Sequence, residues 1–342
     1  MRAVGYQKSL PIEDENALVD IDLPKPEPQG RDVLVQVQAV SVNPVDTKIR
    51  KRTGAGPEPW KVLGWDAAGI VSATGAEASL FKVGDAVFYA GAVGRQGTNS
   101  EYHVVDERIV GRKPESLDWA ESAALPLTSI TAWEMLFDRL DVGKSVPGAA
   151  SAIVIVGGAG GVGSIAVQLA RKLTSLTVIA TASRPETRDW VQHLGAHHVI
   201  DHSKPLAPQV KILRLGQPGI VFSTTSTDLH LADIAELIAP QGRFGLIDDP
   251  ATFDIALFKR KSVSVHWEFM FTRSAFETPD MAEQGALLNR ISKLVDDGVL
   301  QTTLAEDFGA INSRNLKRAH ALIESGRAKG KIVLAGFDAA TS

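Results

Sequence analysis

The chain has 342 residues and a mass of 36.6 kDa, more than one ordinary domain holds, so two are expected. Hydrophobic residues make up 44% and charged residues 22%, and mean hydropathy is +0.01, which excludes wholesale disorder. Thirty-six basic against 40 acidic residues give a net charge of −4, with no surplus to draw the chain onto nucleic acid or an anionic membrane. Cysteine is absent, which excludes disulfides, iron–sulfur clusters, thiolate-bound zinc and a cysteine nucleophile, and fits a cytoplasmic address. The amino terminus lacks the apolar core of a signal peptide.

The first 125 residues read as irregular β structure. Val33–Val42 alternates apolar and polar residues as a half-buried strand does, and Ala67–Ala73 and Ala86–Ala90 are further short strands. Pro24, Pro26 and Pro28 make a stiff connector. A helix is expected over Ser122–Leu136, entering a second domain. From Ile153 the pattern alternates: strands at Ile153–Gly157, Thr177–Ala182, Val199–Ile200, Ile220–Thr224, Arg243–Ile247 and Ser262–Phe269. Helices are expected at Val162–Leu173 and Pro185–Leu194, the latter with Pro185 in its first turn and Gly195 past its end. Strands alternating with helices imply a parallel sheet covered on both faces. Beyond Phe271, an amphipathic helix around Met281–Val295, a second at Leu316–Ser325 and a strand at Lys331–Leu334 complete the chain. The fold class is therefore α/β, with a doubly wound parallel sheet over residues 127–271 inserted into a β-rich domain made of 1–126 and 272–342.

The uncharged stretch Ser145–Ala170 is long enough to cross a bilayer, but Gly157, Gly158, Gly160, Gly161 and Gly163 crowd its centre. A strand–turn–helix unit explains it better. Gly158-Ala-Gly160-Gly161-Val162-Gly163 is a literal GxGxxG in that context: Gly158 allows a tight turn, Gly160 lets the backbone approach a pyrophosphate, and Gly163 allows close helix packing. The helix amino terminus offers N–H groups and its dipole to phosphates. Twenty residues on, where NAD-binding folds place a carboxylate against the ribose, stand Ser183 and Arg184. A missing carboxylate beside an arginine points to a 2′-phosphate, hence NADPH. The other reading has Arg184 capping a strand end in solvent. Glu186 follows Pro185 into the next helix and is expected to point elsewhere.

Other signals fall away. No tyrosine has a lysine four residues on, and Gly143-Lys-Ser145 lacks the upstream glycine of a P-loop, Asp138 standing there. His193, His197, His198 and His202 bunch together, but Gly195 interrupts their helix and no metal is expected. Lys48-Ile-Arg50-Lys51-Arg52 is a dense basic cluster, and without an aromatic platform it reads as a solvated flank.

Six ordered motifs, Ser41–Arg50, Leu63–Val71, Val83–Gly91, Ala123–Glu134, Gly157–Arg171 and Gly330–Leu334, resemble zinc-free medium-chain dehydrogenase/reductases, the quinone oxidoreductase group of the zinc-type alcohol dehydrogenase family. The resemblance spans the whole chain. It implies a GroES-like substrate domain joined to a Rossmann domain, and a homodimer. The Cys, His and Cys that hold zinc in metal-dependent relatives correspond here to Asn43, Trp65 and about Leu127, so no zinc is expected. Without that Lewis acid, an acceptor that is already electrophilic is favoured over an alcohol. The implied reaction is reduction of quinones or α,β-unsaturated carbonyls by NADPH. The alternatives are reduction of simple aldehydes or ketones, and a noncatalytic, NADPH-linked RNA-binding or structural role. The resemblance places Asn43, Asp46 and Thr131 near the nicotinamide, with Trp65 as a wall of the pocket. Asn43 could donate to a carbonyl oxygen or merely open a turn before Pro44, and Asp46 could orient it or pair with Arg50. Leu246, Ile247 and Asp248 resemble the strand end passing the nicotinamide. Phe269, Met270 and Phe271 resemble a pocket lining that leads toward a dimer edge. His202 and Lys331 are likewise implied to touch the cofactor.

Overall fold

The computed structural model of the protein describes residues 1–337. The chain forms two units, one made of Met1–Ile130 with the segment from Phe271 onward, the other of Thr131–Met270. Their boundaries fall at 130/131 and 270/271 rather than at 126/127 and 271/272, because the helix Pro126–Trp133 carries the chain across without a break in sequence texture.

In the first unit, Arg2–Tyr6 lies between Val19–Asp22 and Lys61–Val62 in a small antiparallel sheet. A seven-stranded sheet runs in the order Leu304–Asp307, Lys331–Ala335, Asp32–Val42, Asp66–Thr74, Ala86–Ala90, Val110–Arg112, with Tyr102–Asp106 also paired to Asp32–Val42. The alternation expected at Val33–Val42 is there, but this strand is buried along nearly its whole length. The helix Pro44–Arg52 follows it without a gap beyond Asn43, opened by Pro44 in its first turn and by the Asp46 carboxylate, which accepts from the Asn43 N–H.

The second unit is a six-stranded, wholly parallel sheet in the order His198–Ile200, Thr177–Thr181, Ala150–Val156, Pro218–Ser223, Arg243–Leu246, Ser264–Trp267. In chain order that is 3-2-1-4-5-6, the Rossmann arrangement. Ile153, Val154, Ile155 and Val156 are all fully buried, as strands covered on both faces require. Parallel pairing puts every strand's carboxyl end on one edge of the sheet. The GxGxxG turn, Ser183–Arg184, His202 and Ile247 therefore share that edge.

Two expected elements differ. The helix over Ser122–Leu136 is three pieces: Trp119–Ala123, then Pro126–Trp133, then a π-helical turn at Glu134–Arg139 in which the Leu140 N–H reaches the Met135 carbonyl. Pro126 has no N–H to continue the first piece and starts the second. The strand expected at Ser262–Phe269 shrinks to Ser264–Trp267, because Ile255–Lys261 is a 3-10 helix and Ser262 takes φ of 51°. Among the described residues no helix is long and apolar enough to cross a membrane.

Candidate active site

In the second unit, the strand Ala150–Val156 ends at Gly157, whose φ of 78° only glycine adopts easily. The three motif glycines then divide by what a side chain would meet. A Cβ on Gly158 would lie 2.9 Å from the Ala180 Cβ, and one on Gly163 only 2.2 Å from the Gly157 carbonyl. Gly160 differs. Its φ is an ordinary −72°, and its nearest neighbour would stand at a comfortable 3.5 Å. The fold needs glycine at 158 and 163 but not at 160, where the missing side chain leaves room for a ligand's close approach. Gly160 is also the N-cap of the helix Gly161–Leu173, which no side chain caps. Gly161 and Val162 are part-exposed in its first turn. An uncapped, glycine-lined helix start with room over it fits a dinucleotide pyrophosphate.

At the end of the neighbouring strand, Thr181 Oγ1 accepts from the Gly157 N–H at 2.9 Å and lies 3.1 Å from His202 Nδ1. The turn and His202 are thereby linked through one hydroxyl. Burial holds His202 below the usual imidazole range. Ser183 and Arg184 follow Thr181, both half-buried. The expectation that Glu186 points elsewhere is corrected: its carboxylate pairs with Arg184 Nε at 2.8 Å. The pair sits at the opening of the helix Pro185–His193, where a carboxylate also meets the positive end of the dipole. Leu246 is fully buried and Ile247 half-buried at the end of the fifth strand, and Asp248 accepts from Thr227 N–H and Oγ1. Thr131 is buried, while Phe269 is 51% exposed.

In the first unit the expected residues Asn43, Asp46 and Lys331 meet around Asp66. Lys331 Nζ donates to the Val42 carbonyl at 3.0 Å, to Asp66 Oδ2 at 3.1 Å and to Asn43 Oδ1. Asn43 Nδ2 donates to Asp66 Oδ2 at 2.7 Å, and the Leu127 N–H reaches Asp66 Oδ1, also at 2.7 Å. The partners fix the amide's orientation, since an ammonium can only donate and a carboxylate only accept. Asn43, Asp46, Asp66 and Lys331 are each at most 2% exposed.

Two expectations change here. All three Lys331 N–H groups have protein acceptors, so its ammonium is an internal counter-ion and not a cofactor ligand. The Asn43 carboxamide is likewise bound to Asp66 and Lys331, which makes Asn43 a positioning residue where a donor to substrate was expected. Asp46 does not pair with Arg50. Arg50 is fully buried and bonds Glu324 and the Leu10 carbonyl, and Lys51 joins the same carboxylate at 3.0 Å, so half of the basic cluster is tied into the helix Ser313–Glu324.

Trp65 is fully buried, donates from Nε1 to the Ala92 carbonyl at 3.1 Å, and meets the buried Phe271 edge-on at 6.0 Å. Behind it, Tyr89 and His103 stack at 5.5 Å, with His103 Nε2 bound to the Gln96 carbonyl. That bond fixes the tautomer, so the Tyr89 hydroxyl donates to Nδ1 at 3.0 Å. Burial drives His103 down to about 4, so it is neutral. Asp66 is the residue that motif reading missed. Its signal was a carboxylate opening the otherwise apolar run Asp66–Val71.

These side chains do not fit zinc. Trp65 offers no lone pair, Leu127 none, and the Asn43 oxygen faces an ammonium. Among the described residues no three His, Cys, Asp or Glu side chains come together. Exhaustive chelation should therefore leave turnover and melting temperature unchanged, and stoichiometric zinc in elemental analysis of the purified protein would overturn that.

The chain matches the alcohol dehydrogenase GroES-like domain over residues 29–115 and the zinc-binding dehydrogenase family over residues 194–334. It is 39% identical over 339 residues to the zinc-type alcohol dehydrogenase-like protein SAS2087 of Staphylococcus aureus (strain MSSA476), covering 98% of this chain and 99% of that one. The solved "putative zinc-dependent alcohol dehydrogenase protein" of Rhizobium etli CFN 42 is 68% identical with a TM-score of 0.98, covering 99% of both chains. The quinone oxidoreductase of Pseudomonas syringae pv. Tomato DC3000 is 25% identical with a TM-score of 0.82, covering 98% and 99%. With its GroES-like and Rossmann units and its glycine-lined dinucleotide turn, the chain belongs to the zinc-type alcohol dehydrogenase-like branch of the medium-chain dehydrogenase/reductases, oxidoreductases that bind a nicotinamide cofactor.

Proposed function

We propose that this oxidoreductase uses NADPH, without zinc, to reduce quinones or α,β-unsaturated carbonyls. The observation that carries the reading is the buried Asn43–Asp66–Lys331 set. At the positions matching the zinc ligands of metal-dependent relatives, the Asn43 carboxamide is committed to Asp66 and Lys331, and Trp65 and Leu127 offer no lone pair. A substrate here is not polarised by a Lewis acid, so it must bring its own electrophilicity, as quinones and conjugated carbonyls do. The nicotinamide supplies a hydride. Gly160 and the first turn of Gly161–Leu173 would hold its pyrophosphate. An NADPH-oxidation screen across quinones, enones, aldehydes and alcohols tests the reading, and dominant alcohol oxidation with NADP⁺ would refute it.

The choice of NADPH rests on Ser183 and Arg184. Arg184 has its Nε on Glu186, which leaves the guanidinium oriented and part-exposed at the sheet edge. A charge-assisted bond to the 2′-phosphate contributes about 1.5–3 kcal/mol, so Arg184→Ala should raise the KM for NADPH roughly tenfold or more and barely touch that for NADH. Ser183→Asp should go further by repelling the phosphate and offering the NADH ribose an acceptor. Kinetics with both cofactors check this. An unchanged NADPH/NADH ratio in both variants would mean the 2′ site lies elsewhere.

A further inference from the structure

We propose that Glu186 sets how strongly NADPH is preferred over NADH, by sharing Arg184 with the 2′-phosphate of the one and accepting from the 2′-hydroxyl of the other. The inference rests on the NADPH choice proposed above. It concerns the adenosine end of the cofactor, and every residue in it belongs to the second unit. The backbone that carries the pair is fixed. Arg184 is the N-cap of the helix Pro185–His193, in extended conformation with φ of −92° and ψ of 148°. Its N–H donates to Thr187 Oγ1 at 3.2 Å, and its carbonyl accepts from the Thr187 hydroxyl at 2.8 Å and from the Arg188 N–H at 2.9 Å. Pro185 locks the next φ. Arg184 and Glu186 thus leave from a rigid base, and their side chains meet as an ion pair at 2.8 Å.

The pair stands beside the glycine turn. Thr181, three residues before Arg184, holds the Gly157 N–H with its hydroxyl and contacts His202 with the same oxygen. Arg184 is close enough to His202 for its charge to add to the burial that keeps that imidazole down. Turn and guanidinium therefore flank one stretch of the sheet's carboxyl edge, as the pyrophosphate and the ribose of one adenosine do. The neighbouring charges are engaged elsewhere. Arg188 donates to the Ala182 and Val199 carbonyls, and Asp201 accepts from Ser203 and pairs with Lys204. The Arg184 and Glu186 side chains stay within reach of a ligand, 33% and 57% exposed.

The two cofactors meet this pair differently. A guanidinium carries its donors on more than one edge, so a phosphate can bind Arg184 while Glu186 keeps to Nε. Two anions then share one cation, and since a phosphate monoester carries about −1.5 to −2 charges, their repulsion offsets part of what Arg184 contributes. With NADH the sign reverses. A carboxylate can only accept, and the ribose 2′-hydroxyl is a donor. Glu186 stands three residues beyond Ser183, where NAD-binding folds place that carboxylate, and its tie to Arg184 keeps it turned back toward that position. One side chain thereby lowers the affinity for NADPH and raises that for NADH.

Fluorescence titration of NADPH and NADH against wild type, Arg184→Ala and Glu186→Gln tests this, and it needs no acceptor, so it reads binding whatever the protein reduces. Glu186→Gln should tighten NADPH about three- to tenfold at low salt and weaken NADH about threefold or more. The gain for NADPH should shrink at about 1 M salt, where the screening length is about 3 Å. A carboxylate that served only the helix dipole would on removal lower the melting temperature and move neither affinity. Unchanged affinities, or shifts in the same direction for both cofactors, therefore overturn the proposal. Arg184→Ala separates this failure from that of the reading beneath it. If that variant leaves the NADPH/NADH affinity ratio unchanged, the NADPH assignment falls and the sharing of Arg184 with it. If Arg184→Ala lowers the ratio but Glu186→Gln does not raise it, the role of Glu186 alone is wrong.

Discussion

Replacing Gly160 with valine is expected to weaken NADPH binding at least about a hundredfold, equivalent to about 2.7 kcal/mol, while the protein stays folded. The reason is the contrast among the motif glycines. At 160 the backbone has ordinary dihedrals and a Cβ would stand 3.5 Å from the Gly157 carbonyl, an ordinary contact, so the proposed phosphate path is what a branched residue would block. The fold pays a small penalty, because valine is a poorer N-cap than glycine by up to about 1 kcal/mol, which lowers the melting temperature by roughly 2–4 °C. Gly163→Ala is the control with the opposite signature. Its Cβ would lie 2.2 Å from the Gly157 carbonyl, so binding and stability should fall together. Fluorescence titration with NADPH alongside thermal melts distinguishes them. An unaltered Kd for Gly160→Val would make the turn a purely structural feature.

The glycine turn was legible in the sequence because strand, turn and helix are contiguous and Gly163 answers a need six residues back at Gly157, although Gly158 is required by Ala180 on the neighbouring strand. The same holds for the parallel strands, whose buried runs appear in the chain as unbroken apolar segments such as Ile153–Val156. The buried cluster around Asp66 was legible only in part. Asn43 and Asp46 lie three residues apart and sign their own helix start, a capping pattern of asparagine, proline and aspartate that was available in the sequence. Asp66 and Lys331 stand 265 residues apart, and no pattern along the chain reveals that one neutralises the other. The roles of Asn43 and Lys331 changed for that reason. Each carries the chemistry expected of it, a carboxamide and an ammonium, but its partners come from distant strands that the sheet brings side by side. The pairing of Arg50 with Glu324 escaped the sequence in the same way. Asp46, four residues earlier on the same helix as Arg50, was the nearer candidate, but its carboxylate turns back to accept from the Asn43 N–H.

Lys331→Met should produce the largest loss of stability of any single change at this site, about 3–5 kcal/mol. The lysine side chain is 3% exposed and Asp66 fully buried, so the methionine can fill most of the volume but leaves a carboxylate with no counter-ion in a place water does not reach. The Val42 carbonyl and Asn43 Oδ1 lose their donor at the same time. The loss is chiefly the consequence of an orphaned charge, not the net contribution of the pair, which in a buried setting is small because both ions had to be desolvated. A second substitution separates these. Adding Asp66→Asn removes the uncompensated charge while keeping an acceptor for the Leu127 N–H, and should restore half or more of the lost stability, a coupling of the size seen between directly bonded groups. Urea unfolding of the two single variants and the double variant measures it as a shift in midpoint at constant slope. If the double variant is as unstable as the sum of the singles, Lys331 acts through packing alone and the counter-ion role assigned to it is wrong.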